Sequence, residues 1–543
     1  MRWVPAALVS GPCDLAESRH LRSRSAHPSL PFCTAHVTQV TCARQFFPCF
    51  VSSFATIILM GAAGTRVARE VSPVLCVDLD GTLIRGNLLW ECVLALLKAR
   101  PITLFLLPVW LVRGRAYLKH QLASRVCLDP ARLCYRAPVL DLLREEKARN
   151  RRIALVTAAN RELAESVSQH LGLFDEVHGS DDRLNLIGPA KATFLSHRFA
   201  ASGFDYMGDS ASDVAVWRHA RAAYVVGTPA RARQAAAVTT LQANIVTERA
   251  SWRTWANALR GQHWAKNLLL FLPLALSHNL TIMPILRTAL GFVLYGLCAS
   301  GLYILNDLLD LHSDRQHPWK KERPFAAGEI SIPEGLAASF TLLWSALGVG
   351  LLLDAQFGLA LVGYAALTMV YSLYLKKIAL LDVFVLSSFY SFRILAGALI
   401  SSTPLSQWFL AFSLFFFLSL AMAKRYSELL HANDLVASGN SGRGYRVDDR
   451  ELLLSLGVGS SFSAVVILSL YVHSPEVRVL YLSPEYLLLL CPIVLYWLGR
   501  TWLLAHRGEL REDPVTLAIR DRVSYAVALA SAVVIAASMT HMS

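Results

Sequence analysis

ILRTALGFVLYGLCASGLYIL (285–305) runs without interruption into NDLLDLHSDRQHPWKKERP (306–324), and the two stretches read together decide the fold. The first carries a single charge, Arg287, and has the length, roughly 20 residues, that a helix needs to cross a bilayer. The second places Asp307, Asp310 and Asp314 at i, i+3 and i+7, on one face of a helix that continues the span. Three carboxylates on one face at a membrane boundary repel one another unless divalent cations sit between them, so Mg²⁺ carrying a diphosphate is the expected ligand. Lys320 and Arg323 follow closely enough to clamp the same phosphates. A solvated charged loop would account for the Lys and Arg residues but not for the aligned aspartates.

Outward from this span, similar apolar runs recur. Nine candidate spans lie at 266–281, 285–305, 333–353, 357–375, 380–400, 407–424, 452–472, 485–499 and 523–540. They account for the 54% of the 543 residues that are hydrophobic and for the mean hydropathy of +0.42. Basic residues fall in alternate loops: Arg315, Lys320, Lys321 and Arg323 after the second span, Lys376 and Lys377 after the fourth, and Lys424, Arg425, Arg443, Arg446 and Arg450 after the sixth. The loop after the eighth holds Arg500, Arg507, Arg511, Arg520 and Arg522, whereas the opposite loops offer only Arg287 and Arg478. The basic loops, and with them the N-terminal half, are therefore expected on the cytoplasmic side of the membrane. A net charge of +13 would suit nucleic acid, but the cations are spread between apolar runs instead of forming an aromatic-laced stripe, which argues against that partner. Ten scattered cysteines with no CxxC pair give no zinc site and no disulfide framework.

Residues 1–59 are rich in Ser, His, Arg and Cys and show no signal-peptide pattern. The stretch 1–71 is expected to be a disordered or non-native extension, with Met60 as an alternative start. From Val74 onward, β-rich runs alternate with helical ones: VLCVDLD (74–80), RIALVTAA (152–159), FDYMGDS (204–210) and AAYVVG (222–227). That alternation predicts a Rossmann-like α/β domain over 72–240, a parallel sheet flanked by helices with its site at the strand C-terminal ends. A helical cap at about 86–148 contains ITLFLLPVWLV (102–112), too short to span a bilayer. A buried cap helix is the expected reading, and an interfacial segment holding the domain against the membrane the other. A linker bearing Trp and Arg, 241–264, leads into the all-α membrane domain of 265–543.

The chemistry of the soluble domain sits in DLDGT (78–82). Two carboxylates two residues apart allow one to attack phosphorus while the other handles the leaving-group proton, and Gly81 lets the chain turn. An anionic phosphoryl group also needs positive charge, which Mg²⁺ on Asp78, Asp80, Asp209 and Asp213 would supply. Thr157 can hydrogen-bond a phosphoryl oxygen and Lys191 can neutralise charge. Aspartates that merely cap helices or hold a structural metal are the alternative. The ordered set resembles the haloacid dehalogenase superfamily over about 72–240, and the resemblance implies Asp78 as a nucleophile forming an aspartyl-phosphate, with Asp80 as general acid and base.

NDxxDxxxD at 306–314 resembles the UbiA prenyltransferase superfamily, and the likeness extends over about 250–540. Members that prenylate aromatic acceptors carry a second aspartate-rich motif, whereas YSLYLKKIALLD (371–382) holds only Asp382. The run NDxxDxxxDxxHPxKxxRPxAxG, with QHWAKN (262–267), KRYSEL (424–429) and RGY (443–445), resembles the decaprenyl-phosphate phosphoribosyltransferase subgroup. That resemblance implies phosphoribosyl diphosphate as donor and polyprenyl phosphate as acceptor, in the synthesis of cell-envelope arabinose or ribose precursors. Asp307, Asp310 and Asp314 would hold Mg²⁺ and the diphosphate, beside Asn306, with Lys266, Lys320, Arg323 and Lys376 as donor-phosphate ligands. Asp382 and Arg393 should face a central cavity, since charges there are costly in lipid, and Tyr371 is a further substrate-binding candidate. Asp382 and Arg393 are equally well read as a structural pair. Lys424, Arg425, Glu428 and Tyr445 remain divided between acceptor contacts and loop anchoring. The fused phosphatase would remove the product's 5-phosphate. The competing expectation is an aromatic prenyltransferase that uses polyprenyl diphosphate, with a phosphatase-like accessory domain.

Overall fold

The computed structural model describes residues 72–181, 185–247, 250–278, 281–431, 444–510 and 514–539. The extension 1–71 and Arg443 lie outside them. In the soluble half, strands β1 (Val74–Val77), β2 (Ile153–Asn160), β3 (Glu176–Ser180), β4 (Phe204–Gly208), β5 (Ala222–Gly227) and β6 (Thr240–Val246) form one sheet. Their order is β3-β2-β1-β4-β5-β6, and every pairing is parallel. Along β1 the side chains alternate between two cores, Leu75 and Val77 on one face, Val74 and Cys76 on the other. Both faces are covered by helices, as an unbroken apolar strand requires. The chain order reverses around β1, so the crevice for a ligand opens at the C-terminal ends of β1 and β4.

Helix α1 (Leu88–Ala99) opens the cap, with the Asn87 side chain accepting from Leu89 N–H at 3.0 Å to close its N-terminus. The apolar run that follows is not the buried cap helix expected from sequence. It folds into two short turns, Pro101–Leu106 and Leu107–Val112, that bury Trp110 and leave Ile102, Phe105 and Val112 more than three-quarters exposed. With Pro101 and Pro108 interrupting twelve residues, the segment is too short and broken to turn one face inward.

The second half is helical. After α2 (Trp252–Leu259), seven helices among the described residues are long and apolar enough to cross a membrane: α3 (Ile282–Leu309), α4 (Ile332–Leu353), α5 (Ala355–Leu373), α6 (Leu381–Ser401), α7 (Gln407–His431), Val447–Val472 and Pro484–His506. The nine spans read from sequence are not reached. The first, 266–281, is a 3-10 stretch, Gly261–Phe271, followed by a five-residue helix, Leu272–Leu276. Its backbone lies directly on α6: a Cβ at Gly397 would come within 2.1 Å of the Leu270 carbonyl oxygen. The ninth is a helix of 17 residues, Arg522–Ser538. Large apolar side chains such as Trp344, Leu352 and Leu529 face outward, the surface a bilayer covers. The described residues gather into one compact unit.

Candidate functional sites

The first site forms where β1 and β4 end. Asp78 leaves β1 buried, its Oδ1 accepting from Leu79 N–H at 2.8 Å and its Oδ2 lying 2.9 Å from Lys191 Nζ. Lys191 comes from the helix Pro189–Arg198 and is 2% exposed. Beyond β4, the backbone N–H groups of Asp209 and Ser210 donate to Asp213 Oδ2 at 3.2 and 2.9 Å, which folds GDSASD back onto Asp78. Among the described residues, Asp78, Asp209 and Asp213 form the group of carboxylates whose ligand atoms all lie within 4.8 Å of one another. Three hard oxygen donors at that spacing suit Mg²⁺. Asp80 is not brought into this trio, because its Oδ1 accepts from Leu88 N–H, at the N-terminus of α1, at 2.8 Å. Thr157 is fully buried inside β2, three residues before its end, and its Oγ1 accepts from Ala159 N–H at 3.0 Å. A side chain at Gly81 would strain this turn and displace Asp209: the φ is +77° and a Cβ would lie 2.2 Å from Asp209 Oδ2.

Burial pushes Asp80 up to about 7, with Asp78 adding to the rise. Burial and the charge of Asp78 likewise raise Asp209 to about 7. Burial also raises Asp78, partly offset by Lys191. Burial opposes the charge on Lys191, yet Asp78 and Asp213 keep its ammonium above the ordinary range.

Sequence reading missed Tyr206. Its buried hydroxyl receives Lys191 Nζ at 2.8 Å and lies 3.0 Å from Asp213 Oδ1 and 3.4 Å from Asp78 Oδ2, joining three of the named residues. Arg136 and Arg231 were missed as well. Both line a pocket of about 210 Å³ that also borders Gly81 and Asp209, and Arg136 Nε donates to Gly81 O at 3.1 Å.

The second site forms at the end of α3. Asp307, Asp310 and Asp314 do not converge on one point. Asp307 Oδ1 takes Arg260 at 2.5 Å and Arg323 at 3.1 Å, and Arg323 also reaches Asp314 Oδ2 at 2.6 Å. Asp310 stands apart, with Lys376 on Oδ2 at 2.6 Å and Lys98 on Oδ1 at 3.1 Å. The repulsion expected among the three carboxylates is thus relieved by the protein's own cations, of which only Arg323 and Lys376 were read from sequence. Burial would raise Asp310, but Lys376 and Lys98 outweigh it and hold the carboxyl below its usual range. Asn306 lies one residue before Asp307 on α3, and Lys320 lies in the short turn Lys320–Glu322.

Deeper in the helical half, the Tyr371 hydroxyl donates to Asp382 Oδ1 at 2.8 Å and Arg425 pairs with Asp382 Oδ2 at 2.7 Å. Asp382 is fully buried and Arg425 is 2% exposed. Glu428 also pairs with Arg425, and Tyr445 receives Leu380 N–H at 2.9 Å, which ties the loop carrying Lys376 to the one carrying Tyr445. Arg393 does not pair with Asp382. Its Nε donates to Asn267 Oδ1 at 3.0 Å, and its guanidinium lies 5.2 to 5.7 Å from the rings of Tyr295, Tyr364 and Tyr390. Lys266 Nζ stands 5.6 Å from the Tyr390 ring, whereas Lys424 is half-buried on α7 beside Arg425.

Comparison with known proteins matches residues 75–218 to haloacid dehalogenase-like hydrolases and residues 268–525 to the UbiA prenyltransferase family. An uncharacterised protein of Sinorhizobium fredii, y4nM, is 38% identical over 471 residues, covering 86% of this chain and 91% of the relative. The nodulation protein NoeC of Azorhizobium caulinodans is 35% identical over 274 residues, 49% of this chain and 87% of that protein. Decaprenyl-phosphate phosphoribosyltransferase of Corynebacterium glutamicum is 38% identical over 180 residues, 32% of this chain and 54% of that enzyme. A UbiA homologue of Archaeoglobus fulgidus, solved with GPP and Mg²⁺, superposes with a TM-score of 0.40 at 18% identity, covering 52% of this chain and 97% of that one.

Proposed function

From the premise that this chain belongs to the UbiA prenyltransferase family and carries a haloacid dehalogenase-like hydrolase domain, we propose that it moves phosphoribose from phosphoribosyl diphosphate to a polyprenyl phosphate, then removes the 5-phosphate. The observation that carries this reading is the state of Asp382. Aromatic prenyl transfer uses two carboxylate-rich faces, but here the lone carboxylate of the second is fully buried and tied up by Arg425 and Tyr371. What remains is one aspartate face surrounded by cations, a setting suited to a small, phosphate-rich donor. The name of the Corynebacterium relative points the same way.

In the transfer step a lipid phosphate oxygen attacks the anomeric carbon, the bond to diphosphate breaks, and diphosphate leaves. Mg²⁺ is commonly held by one or two carboxylates together with substrate phosphates, so Asp307, Asp310 and Asp314 need not form a closed cage. When bound, at this site or on Asp78, Asp209 and Asp213, the ion supplies positive charge to phosphate oxygens. Arg323, Lys376, Lys320 and Lys266 hold the donor's phosphates, and Asn306 sits at the start of the motif. Arg393 and its tyrosines line the deeper wall.

In the second step Asp78 attacks the 5-phosphorus, and Asp80 gives its proton to the departing 5-oxygen. Asp80 then takes a proton from the water that opens the aspartyl-phosphate. Thr157 and Lys191 hold the phosphoryl oxygens. Both sites face the cytoplasm in this reading. Incubating full-length protein with radiolabelled phosphoribosyl diphosphate, Mg²⁺ and polyprenyl phosphate should move label into the lipid phase. Unlabelled lipid, with turnover of polyprenyl diphosphate on a hydroxybenzoate, would overturn it.

A further inference from the structure

Helix α1 belongs to the hydrolase cap, yet it reaches the transfer site. At its N-terminus the Leu88 N–H holds Asp80. One turn on, Glu91, 1% exposed, accepts Arg315 through both carboxylate oxygens at 2.8 and 3.3 Å, with His312 Nε2 3.5 Å away. Seven residues beyond Glu91, hence on the same face of the helix, Lys98 lies 3.1 Å from Asp310. Arg85 adds a bond to Ala327 O at 3.2 Å. The buried Glu91–Arg315 pair therefore fixes the register that delivers Lys98.

Asp310 carries a lysine on each oxygen, Lys376 from its own half and Lys98 from the hydrolase half. Across the site four cations, Arg260, Arg323, Lys376 and Lys98, face three carboxylates, so the surplus charge is positive. Lys98 is the most solvent-accessible of the four, its side chain 37% exposed. It can swing from Asp310 to an incoming anion without leaving a buried charge unpaired.

We propose that Lys98, delivered by the hydrolase half, binds a diphosphate oxygen of the donor in the transfer site. This rests on the reading of the aspartate face as a diphosphate site, not on the identity of the sugar. One half of the chain thus supplies a ligand that the other half needs.

The test uses full-length protein in detergent with Mg²⁺ and inorganic diphosphate as the probe, binding being followed by calorimetry. Lys98→Met should weaken diphosphate about tenfold, the scale of one lost hydrogen bond to a charged group, and Lys98→Arg should recover most of the loss. Hydrolysis of p-nitrophenyl phosphate and the melting temperature serve as folding controls. Lys98→Met binding diphosphate as tightly as wild type would overturn the proposal. So would parallel loss of diphosphate binding, hydrolysis and melting temperature, or a wild-type chain that does not take up diphosphate. Wild-type protein that binds diphosphate but moves no label from phosphoribosyl diphosphate overturns the sugar assignment and leaves Lys98 standing.

Discussion

At the scale of single residues, the hydrolase site hangs on contacts that only the fold reveals. Asp78, Lys191, Asp209 and Asp213, which the structure brings together, are legible because each falls in an ordered set of short motifs. Tyr206 is not, because one aromatic residue inside a β-rich run carries no mark of which face it points to. Its hydroxyl nevertheless joins Lys191, Asp213 and Asp78. Exchanging Asp78 for Asn should cut phosphate release by at least about a thousandfold, as loss of a nucleophile does, while diphosphate release continues. Release of both products can be followed in one reaction with doubly labelled donor, and undiminished phosphate release would remove the hydrolase from the sequence of steps. The cations of the transfer site were half legible. Arg323 and Lys376 follow recognisable motifs, but Arg260 sits beyond α2 in a left-handed turn and Lys98 lies more than 200 residues upstream of Asp310.

Among elements, the four strands read from sequence are all present, and the two missed, β3 and β6, are the sheet's edges. EVHGS and TLQANIV are half polar because each has only one neighbouring strand and a thinner cover, so neither shows the apolar run of a central strand. The first expected span is not among the seven long apolar helices for a different reason. Hydropathy counts apolar side chains and cannot see that the 3-10 stretch Gly261–Phe271 lies against Gly397, with Asn267 held by Arg393. Helix α1 makes the sharpest prediction at this scale. Removing one partner of a buried ion pair costs about 3–5 kcal/mol, so Glu91→Ala should lower the melting temperature of the whole chain. Glu91→Ala combined with Arg315→Met should restore most of it, whereas additive losses would show that the pair is not coupled. The apolar turns after α1 give another. With Ile102, Phe105 and Val112 pointing outward next to Lys98, Arg100 and Arg113, the segment has the composition of an interfacial anchor. A fluorophore on Phe105→Cys should be quenched by lipids spin-labelled near the headgroup in reconstituted vesicles, and quenching only by an aqueous agent would place the segment in water.

For the whole molecule, the loop of the cap at 131–135 and the basic segment after the aspartate motif, from Arg315 to Glu329, wall a cleft of about 540 Å³. Seen as chemical traffic, a cleft bounded by both halves would, in the proposed sequence of steps, change what the second step responds to. An intermediate released into it would meet the hydrolase half at an effective concentration set by geometry, above its level in the surrounding membrane. Isotope dilution reads this directly. When labelled donor is turned over in the presence of excess unlabelled 5-phosphorylated intermediate, the dephosphorylated lipid should keep most of its specific radioactivity. Full dilution would mean that the intermediate mixes with the bulk first. If the label is kept, the supply of finished lipid follows the supply of donor, and the pool of free intermediate drops out of its control.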